Sequence, residues 1–304
     1  MAAAIDAATA PDASRAHRGT ILLEDAEVLT KEQYEGAQFV LRLESPQIAA
    51  RARPGSFVHM HCAEELPMRR PMSVMRASPE QGWIDILFKV HGRGTALLAE
   101  RKVGEYLSLL GPIGKPFRLR GYRAQPLLIG GGVGIPPMIF LAEHMRATGA
   151  NVEPMVLMGS EIPFPFRARP SQIIAGGIPD GVIAAMPLLD DWGIASRLAS
   201  QQAYPGCYDG FVTDLARAWV EHAGVERGDI EIFACGPTPM LRAVAALARE
   251  FDLGCEISLE EFMACAVGGC AGCTVRINTL EGPAMKRVCV DGPVFDAATV
   301  VFPD

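Results

Sequence analysis

A chain of 304 residues exceeds the length at which a single hydrophobic core keeps growing, about 250–300 residues, so more than one domain is expected. Hydrophobic residues at 49% and charged residues at 21% exclude a disordered or fibrous chain, and a net charge of -7 excludes a surface built for nucleic acid. The most apolar stretch, 126–142, is broken by glycines and prolines and falls short of the roughly 18 residues a membrane span needs, so no membrane partner is expected.

Residues 1–17 are alanine-rich, carry Asp6 and Asp12 and hold no continuous apolar segment, which reads as a disordered tail rather than a secretory leader. From 18 to 122, short apolar stretches between turns (TILLEDAEVL, QFVLRLES, GSFVHMHC, IDILFKV, EYLSLLGPI) predict an antiparallel β-barrel, with a short helix over 95–101. From 123 to 254 the texture is α/β: strands over 126–129, 152–158, 183–186 and 230–234 alternate with helices over 137–148, 214–222 and 238–251, which predicts a parallel sheet. Residues 255–304 are rich in cysteine and glycine and too few for a core without a metal or partner. The fold class is therefore multi-domain, β plus α/β, with a small C-terminal module.

The run Cys265-Ala-Val-Gly-Gly-Cys270-Ala-Gly-Cys273, completed by Cys289, has the C-x4-C-x2-C…C spacing of plant-type [2Fe-2S] proteins. Four thiolates must converge on two irons, and Gly268, Gly269 and Gly272 permit the tight turns this needs. A zinc site is the competing reading, but it usually presents C-x2-C pairs. Clustered cysteines without an export signal point to metal binding in a reducing compartment, hence a cytoplasmic protein. Cys62, Cys207 and Cys255 read as small hydrophobes, whereas Cys235 in Cys235-Gly236-Pro237 ends a predicted strand, at the edge where parallel sheets bind ligands.

Gly130, Gly131, Gly132 and Gly134 follow a buried strand and open a helix, so bare amides and a helix N-terminus suit an anion. Ile135 breaks G-x-G-x-x-G, and a plain connecting turn competes; the later Cys235-Gly236-Pro237 favours dinucleotide binding. In the barrel, Arg70-Pro71-Met72-Ser73 places a guanidinium suited to pyrophosphate three positions before a hydroxyl, with a surface turn as the competing reading. Gly92-Arg93-Gly94-Thr95 sets amides and a hydroxyl between strand and helix.

Taken in order, RPMS, GRGT, GGGVGIPPM, DDWG with GFVTD, CGPTPM, SLEEFMACAVGGCAGC and RVCVDGPVF resemble the electron-transfer subunit of class 1B dihydroorotate dehydrogenase over nearly the whole chain. The resemblance implies a ferredoxin-reductase-like architecture: an FAD-binding β-barrel at 18–122, a NAD-binding α/β domain at 123–254 and a [2Fe-2S] module at 255–304. It implies that Arg70, Pro71, Met72 and Ser73 contact FAD, joined by Leu87, Phe88, Lys89, Gly94 and Thr95. The glycine loop, with Cys235, Gly236 and Pro237, would serve NAD. A separate FMN-containing subunit, joined in a heterotetramer, would oxidise dihydroorotate in pyrimidine biosynthesis and feed electrons through the cluster to FAD and NAD+. A cluster moves electrons singly and a nicotinamide takes two, so a flavin must stand between them. Glu260, Glu261 and Cys235 are candidates for that junction, against a solvated acidic pair beside a loop. The family's TDDGS is matched here by Leu189-Asp190-Asp191-Trp192-Gly193, and Phe262 stands where a basic residue is usual. Competing roles are a reductase component of an oxygenase, sulfhydrogenase-like or bifurcating complex, and a zinc-stabilised or redox-sensing module without turnover.

Overall fold

The computed structural model describes residues 19–303, and the tail expected over 1–17 lies outside the described residues. The N-terminal half is a closed barrel of β1 (Leu22–Tyr34), β2 (Gln38–Glu44), β3 (Phe57–Met60), β4 (Arg70–Ser78), β5 (Trp83–Lys89) and β6 (Tyr106–Ile113), ordered β1-β2-β5-β4-β3-β6 with every pair antiparallel. Because side chains alternate across a strand, Leu41, Leu43, Val58, Met60, Val74, Ile84, Ile86, Leu107 and Leu109 all enter the barrel. Helix α1 (Pro46–Arg51) covers that core with Ile48 and Ala49, and α2 (Arg93–Glu100) with Leu98.

Strand β4 was not expected, because Arg70-Pro71-Met72-Ser73 has the composition of a turn. Residues 70–73 pair only with β3, and pairing with β5 begins at Val74, so Pro71 lies on a half-edge strand where a missing N–H is tolerated.

A second sheet follows: β7 (Gln125–Gly131), α3 (Ile135–Ala147), β8 (Met155–Gly159), a small pair of β9 (Arg169–Pro170) with β10 (Ala184–Ala185), α4 (Pro187–Asp191), β11 (Ala195–Ser200), β12 (Tyr208–Asp209), α5 (Val212–His222), β13 (Ile230–Cys235), α6 (Thr238–Glu250) and β14 (Gly254–Ser258). After the hairpin β15 (Thr274–Thr279) and β16 (Gly282–Arg287), the chain returns as β17 (Val294–Asp296). Sheet order is β12-β11-β8-β7-β13-β14-β17, parallel except for β17. Its strands read as apolar runs because both faces are covered. Leu128, Val156 and Phe233 meet α3, while Leu127, Ile129 and Ile232 meet α5 and α6.

The strand expected over 183–186 shrinks to β10, outside this sheet. The third strand of the α/β unit is β11, whose sequence ASRLAS hides its burial: Arg197 is almost fully buried and satisfies the carbonyls of Val182, Ser196 and Ile173. The sheet also continues past 254, taking β14 and β17 from the stretch 255–304. Among the described residues no helix is long and apolar enough to cross a membrane.

Barrel and sheet are packed together at several points. Arg76 of β4 pairs with Glu143 of α3 at 2.6 Å, Met75 and Leu87 join the α3 side of the sheet core, and Phe117 and Tyr122 in the connecting segment set their edges on Phe233 at 5.9 and 6.0 Å. At the far end of β3, a Cβ on Gly55 would meet Val294 at 3.0 Å and one on Gly114 would overlap Pro293, so the barrel rests directly on the segment entering β17.

Candidate dinucleotide crevice and cysteine loop

Two pairs of thiols lie beyond β14. Cys273 and Cys289 are buried with their sulfurs 3.3 Å apart; Cys265 is half-buried and Cys270 exposed. The Cys270 N–H points at Cys265 Sγ and the Gly272 N–H at Cys270 Sγ, each at 3.4 Å. Burial alone would raise the Cys265 thiol, but hydrogen bonds from the Val267, Cys270 and Gly269 amides and from the Cys270 side chain outweigh it and hold the thiol at about 7. Burial and then the neighbouring Cys273 thiol push Cys289 up to about 12.

The loop's tight path is carried by Ala266, Ala271 and Gly268, all at positive φ; only Gly268 is required to be glycine by its surroundings, since its Cβ would lie 2.6 Å from Val290. Arg287 donates to the Gly268 carbonyl at 3.0 Å and so ties the loop to β16. Among the described residues no three His, Cys, Asp or Glu side chains converge on one point. The sulfurs fall instead into two pairs, 265 with 270 and 273 with 289, with amides aimed at sulfur. That donor set fits a two-iron centre taking two thiolates per iron, and does not fit a tetrahedral zinc ion.

On the barrel, Arg70 has no carboxylate partner among the described residues. Its Nη1 holds the carbonyls of Met68 and Arg69, and Gly94 lies so close that a Cβ there would be 2.8 Å from Arg70 Nε. Helix α2 starts beside it with no side-chain cap, behind Gly92 at φ 82, so its first amides and the guanidinium face one spot. Thr95 accepts the His91 N–H at 2.6 Å and shapes this turn. A pyrophosphate fits there. Met72 and Phe88 turn into the barrel, Phe88 stacked on Phe39 at 5.4 Å, and so offer a ligand only their backbone. Pro71 and Ser73 are half-buried, Leu87 packs toward α3 and Lys89 is exposed.

His59, which no motif marks, is buried on β3 opposite Pro71, and neither ring nitrogen has a hydrogen-bond partner among the described residues. Burial first, and then the charge of Arg69, push its imidazole down to about 4.

At the C-terminal edge of the sheet, Cys235 stands between Gly130 of β7 and Ser258 of β14. A Cβ on Gly134 would lie 2.5 Å from the Cys235 carbonyl carbon and the Gly236 nitrogen, and closer still to the Cys235 oxygen. Cβ atoms on Gly131 and Gly236 would press on Met240. The two loops thus interlock backbone to backbone, with Pro237 capping α6, and line one crevice with the starts of α3 and α6. Gly132 at φ 54 faces open space, and β5 of the barrel runs beside this turn. Burial, then the charge of Glu260, push the Cys235 thiol far above its ordinary value, against a hydrogen bond with Ser258. Desolvation raises the Glu260 carboxyl. Glu261 and Phe262 are exposed.

Asp190 and Asp191 do not reach this edge. They lie in α4, before β11, where Asp190 accepts from the Ser171 hydroxyl and the Gln172 amide at 2.7 and 3.0 Å and Asp191 pairs with Arg169. The turn leaving β11 at the crevice is Ser200-Gln201-Gln202. A cavity of about 620 Å³ at the opposite edge, between Gln125, Glu153, Trp192 and Trp219, shares none of the crevice's residues.

Comparison with known proteins follows the same division. Residues 260–301 match the family described as the iron–sulfur cluster binding domain of dihydroorotate dehydrogenase B, and residues 23–117 match the oxidoreductase FAD-binding domain. The chain is similar to the dihydroorotate dehydrogenase B (NAD(+)) electron transfer subunits of Shouchella clausii, with 30% identity over 95% of this chain and 100% of the relative, and of Geobacillus thermodenitrificans, with 34% identity over 87% and 93%. Among solved structures, an NADH-dependent reduced ferredoxin-NADP oxidoreductase studied for flavin-based electron bifurcation superposes with a TM-score of 0.74 and 27% identity, over 91% of this chain and 90% of that one.

Proposed function

The chain belongs to the family of dihydroorotate dehydrogenase B electron transfer subunits, and from that premise we propose that it takes electrons from a dihydroorotate-oxidising, FMN-containing partner subunit and delivers them to NAD+ in pyrimidine biosynthesis, in the cytoplasm. The observation that carries this reading is the shared edge: β14 ends at Ser258, opposite Cys235, and the chain continues through Glu260 to Cys265, so the thiol pairs and the dinucleotide crevice are neighbours.

In this reading Cys265, Cys270, Cys273 and Cys289 hold the [2Fe-2S] cluster, and Arg70 with the first turn of α2 neutralises the FAD pyrophosphate. A bound flavin supplies the exchange between one-electron and hydride carriers. Gly130, Gly131, Gly132, Gly134 and Gly236 seat the dinucleotide with bare amides, while the buried Cys235 keeps its proton on Sγ and lends the crevice an uncharged wall. Residues 18–122, 123–254 and 255–304 then act as flavin, nicotinamide and cluster units. The likeness to a bifurcating oxidoreductase over most of the chain supports a second reading, a reductase subunit of such a complex.

Co-expression with a candidate FMN subunit separates the two. Dihydroorotate-dependent NAD+ reduction by a complex containing iron, acid-labile sulfide and FAD is expected. A colourless zinc protein without flavin would refute both readings.

A further inference from the structure

We infer that Glu161 and Asp209 make this crevice selective for NAD(H) over NADP(H), a step that rests on the dinucleotide reading above. Strand order fixes which way the cofactor lies. Cys235, Glu260 and the cysteine loop are on the β13–β14 side of the glycine turn, so the nicotinamide half belongs there. The adenosine half must then cross the ends of β8 and β11 on the other side of β7.

Three turns form the ledge beneath it. Residues 159–161 leave β8, residues 200–203 leave β11, and residues 208–211 lead from β12 into α5. They are tied to one another: the Ser160 N–H donates to Ala199 O at 3.2 Å, the Gly210 N–H to Ser200 O at 3.4 Å and the Gln202 N–H to Ser200 Oγ at 3.2 Å. Gly159 is held against α5, where a Cβ would lie 2.9 Å from Val212. Beyond the ledge the chain departs toward the barrel, where Ile162 packs on Gly36. Phe211, 57% exposed, offers an aromatic face at the outer end, suited to a purine.

The ledge contains no lysine or arginine, and its charged groups are Glu161 and Asp209. Both are exposed, and neither has an ion-pair or hydrogen-bond partner among the described residues. An adenosine ribose offers its 2'-hydroxyl to such a carboxylate, whereas a 2'-phosphate is repelled by it and calls for an arginine. Gln201 and Gln202, neutral and exposed, leave the discrimination to the two acids.

The test uses the flavin-loaded full chain with ferricyanide as acceptor, comparing kcat/KM for NADH and NADPH in wild type, Glu161→Gln, Asp209→Asn and the double variant. Wild type is expected to prefer NADH, and the double variant to lose about tenfold or more of that preference, the change falling on KM more than on kcat. A wild type preferring NADPH, or a double variant with an unmoved preference beside an active wild type, overturns the assignment alone. A flavin-loaded wild type that oxidises neither dinucleotide overturns it together with the dinucleotide reading.

Discussion

Gly134→Ala probes the interlock of the crevice directly. The added Cβ would stand 2.5 Å from the Cys235 carbonyl carbon and the Gly236 nitrogen. Ordinary contact begins near 3.4 Å, so about 1 Å must be found, and both partners are backbone, so no side-chain rotation supplies it. The β13 loop has to move off the glycine turn. Overpacking of this kind costs about 1–3 kcal/mol, visible as a melting temperature lower by several degrees. Function should suffer more, because a displacement of about 1 Å in a substrate-positioning segment costs roughly 10²-fold in rate. The assay is NADH-driven ferricyanide reduction by flavin-loaded protein, read as kcat/KM beside a thermal melt. Gly254→Ala is the matched control: it lies at the start of β14, at the opposite edge of the sheet, and its Cβ meets open space without a positive φ. If Gly134→Ala turned over NADH within about twofold of wild type, the contact between the two loops would not be what shapes the crevice.

Cys270→Ser should abolish dihydroorotate-linked NAD+ reduction while NADH-driven ferricyanide reduction and the flavin spectrum persist, with iron and sulfide analysis reporting the lost cluster. Arg70→Ala removes the unpaired guanidinium beside α2 and should weaken FAD binding by about 10- to 100-fold, measured by flavin fluorescence on titration. His59, at about 4 in the fold against 6.5 unfolded, binds its proton only in the unfolded chain across that window. Stability should therefore be complete above pH 6.5 and fall toward pH 4 by up to about 3 kcal/mol, a slope that His59→Leu removes from urea denaturation series; an unchanged slope would show the imidazole is not the source.

What could be read from sequence followed from whether a signal was local. The strands at β7 and β13 announced themselves because a strand covered on both faces must be apolar throughout, and the cysteine spacing is itself the geometry of the loop. Strand β11 escaped because its buried Arg197 is satisfied by the carbonyls of Val182 and Ile173, distant in sequence, together with that of its neighbour Ser196. Strand β4 escaped because Pro71 is admissible only where one side of the strand is unpaired, a fact of topology. His59 carries no pattern, since one histidine in an alternating strand looks like any polar outward residue. The need for glycine at position 134 comes from Cys235, whose approach is fixed by sheet order, so the loop's departure from G-x-G-x-x-G said nothing about it. The aspartates at 190 and 191 resembled a family motif in sequence alone, and only strand direction shows which end of the sheet they occupy.

Strand polarity also explains why the cysteines arrive beside the crevice without a dedicated scaffold. Strand β14 is parallel to β13, so its chain must emerge at the edge where Cys235 lies, and the next residues are Glu260 and then the Cys265–Cys273 loop. Strand β17 is antiparallel to β14, with Val294 opposite Ser258, so it must be entered from that same edge, and Cys289 lies just before the entry. One outgoing and one incoming connection therefore supply the two halves of the thiol set, and the 3.3 Å between Cys273 and Cys289 is where they meet. Had β17 run parallel, Cys289 would have entered from the far edge of the sheet, a strand's length of about 10 Å or more away. The single reversed strand is what closes the site.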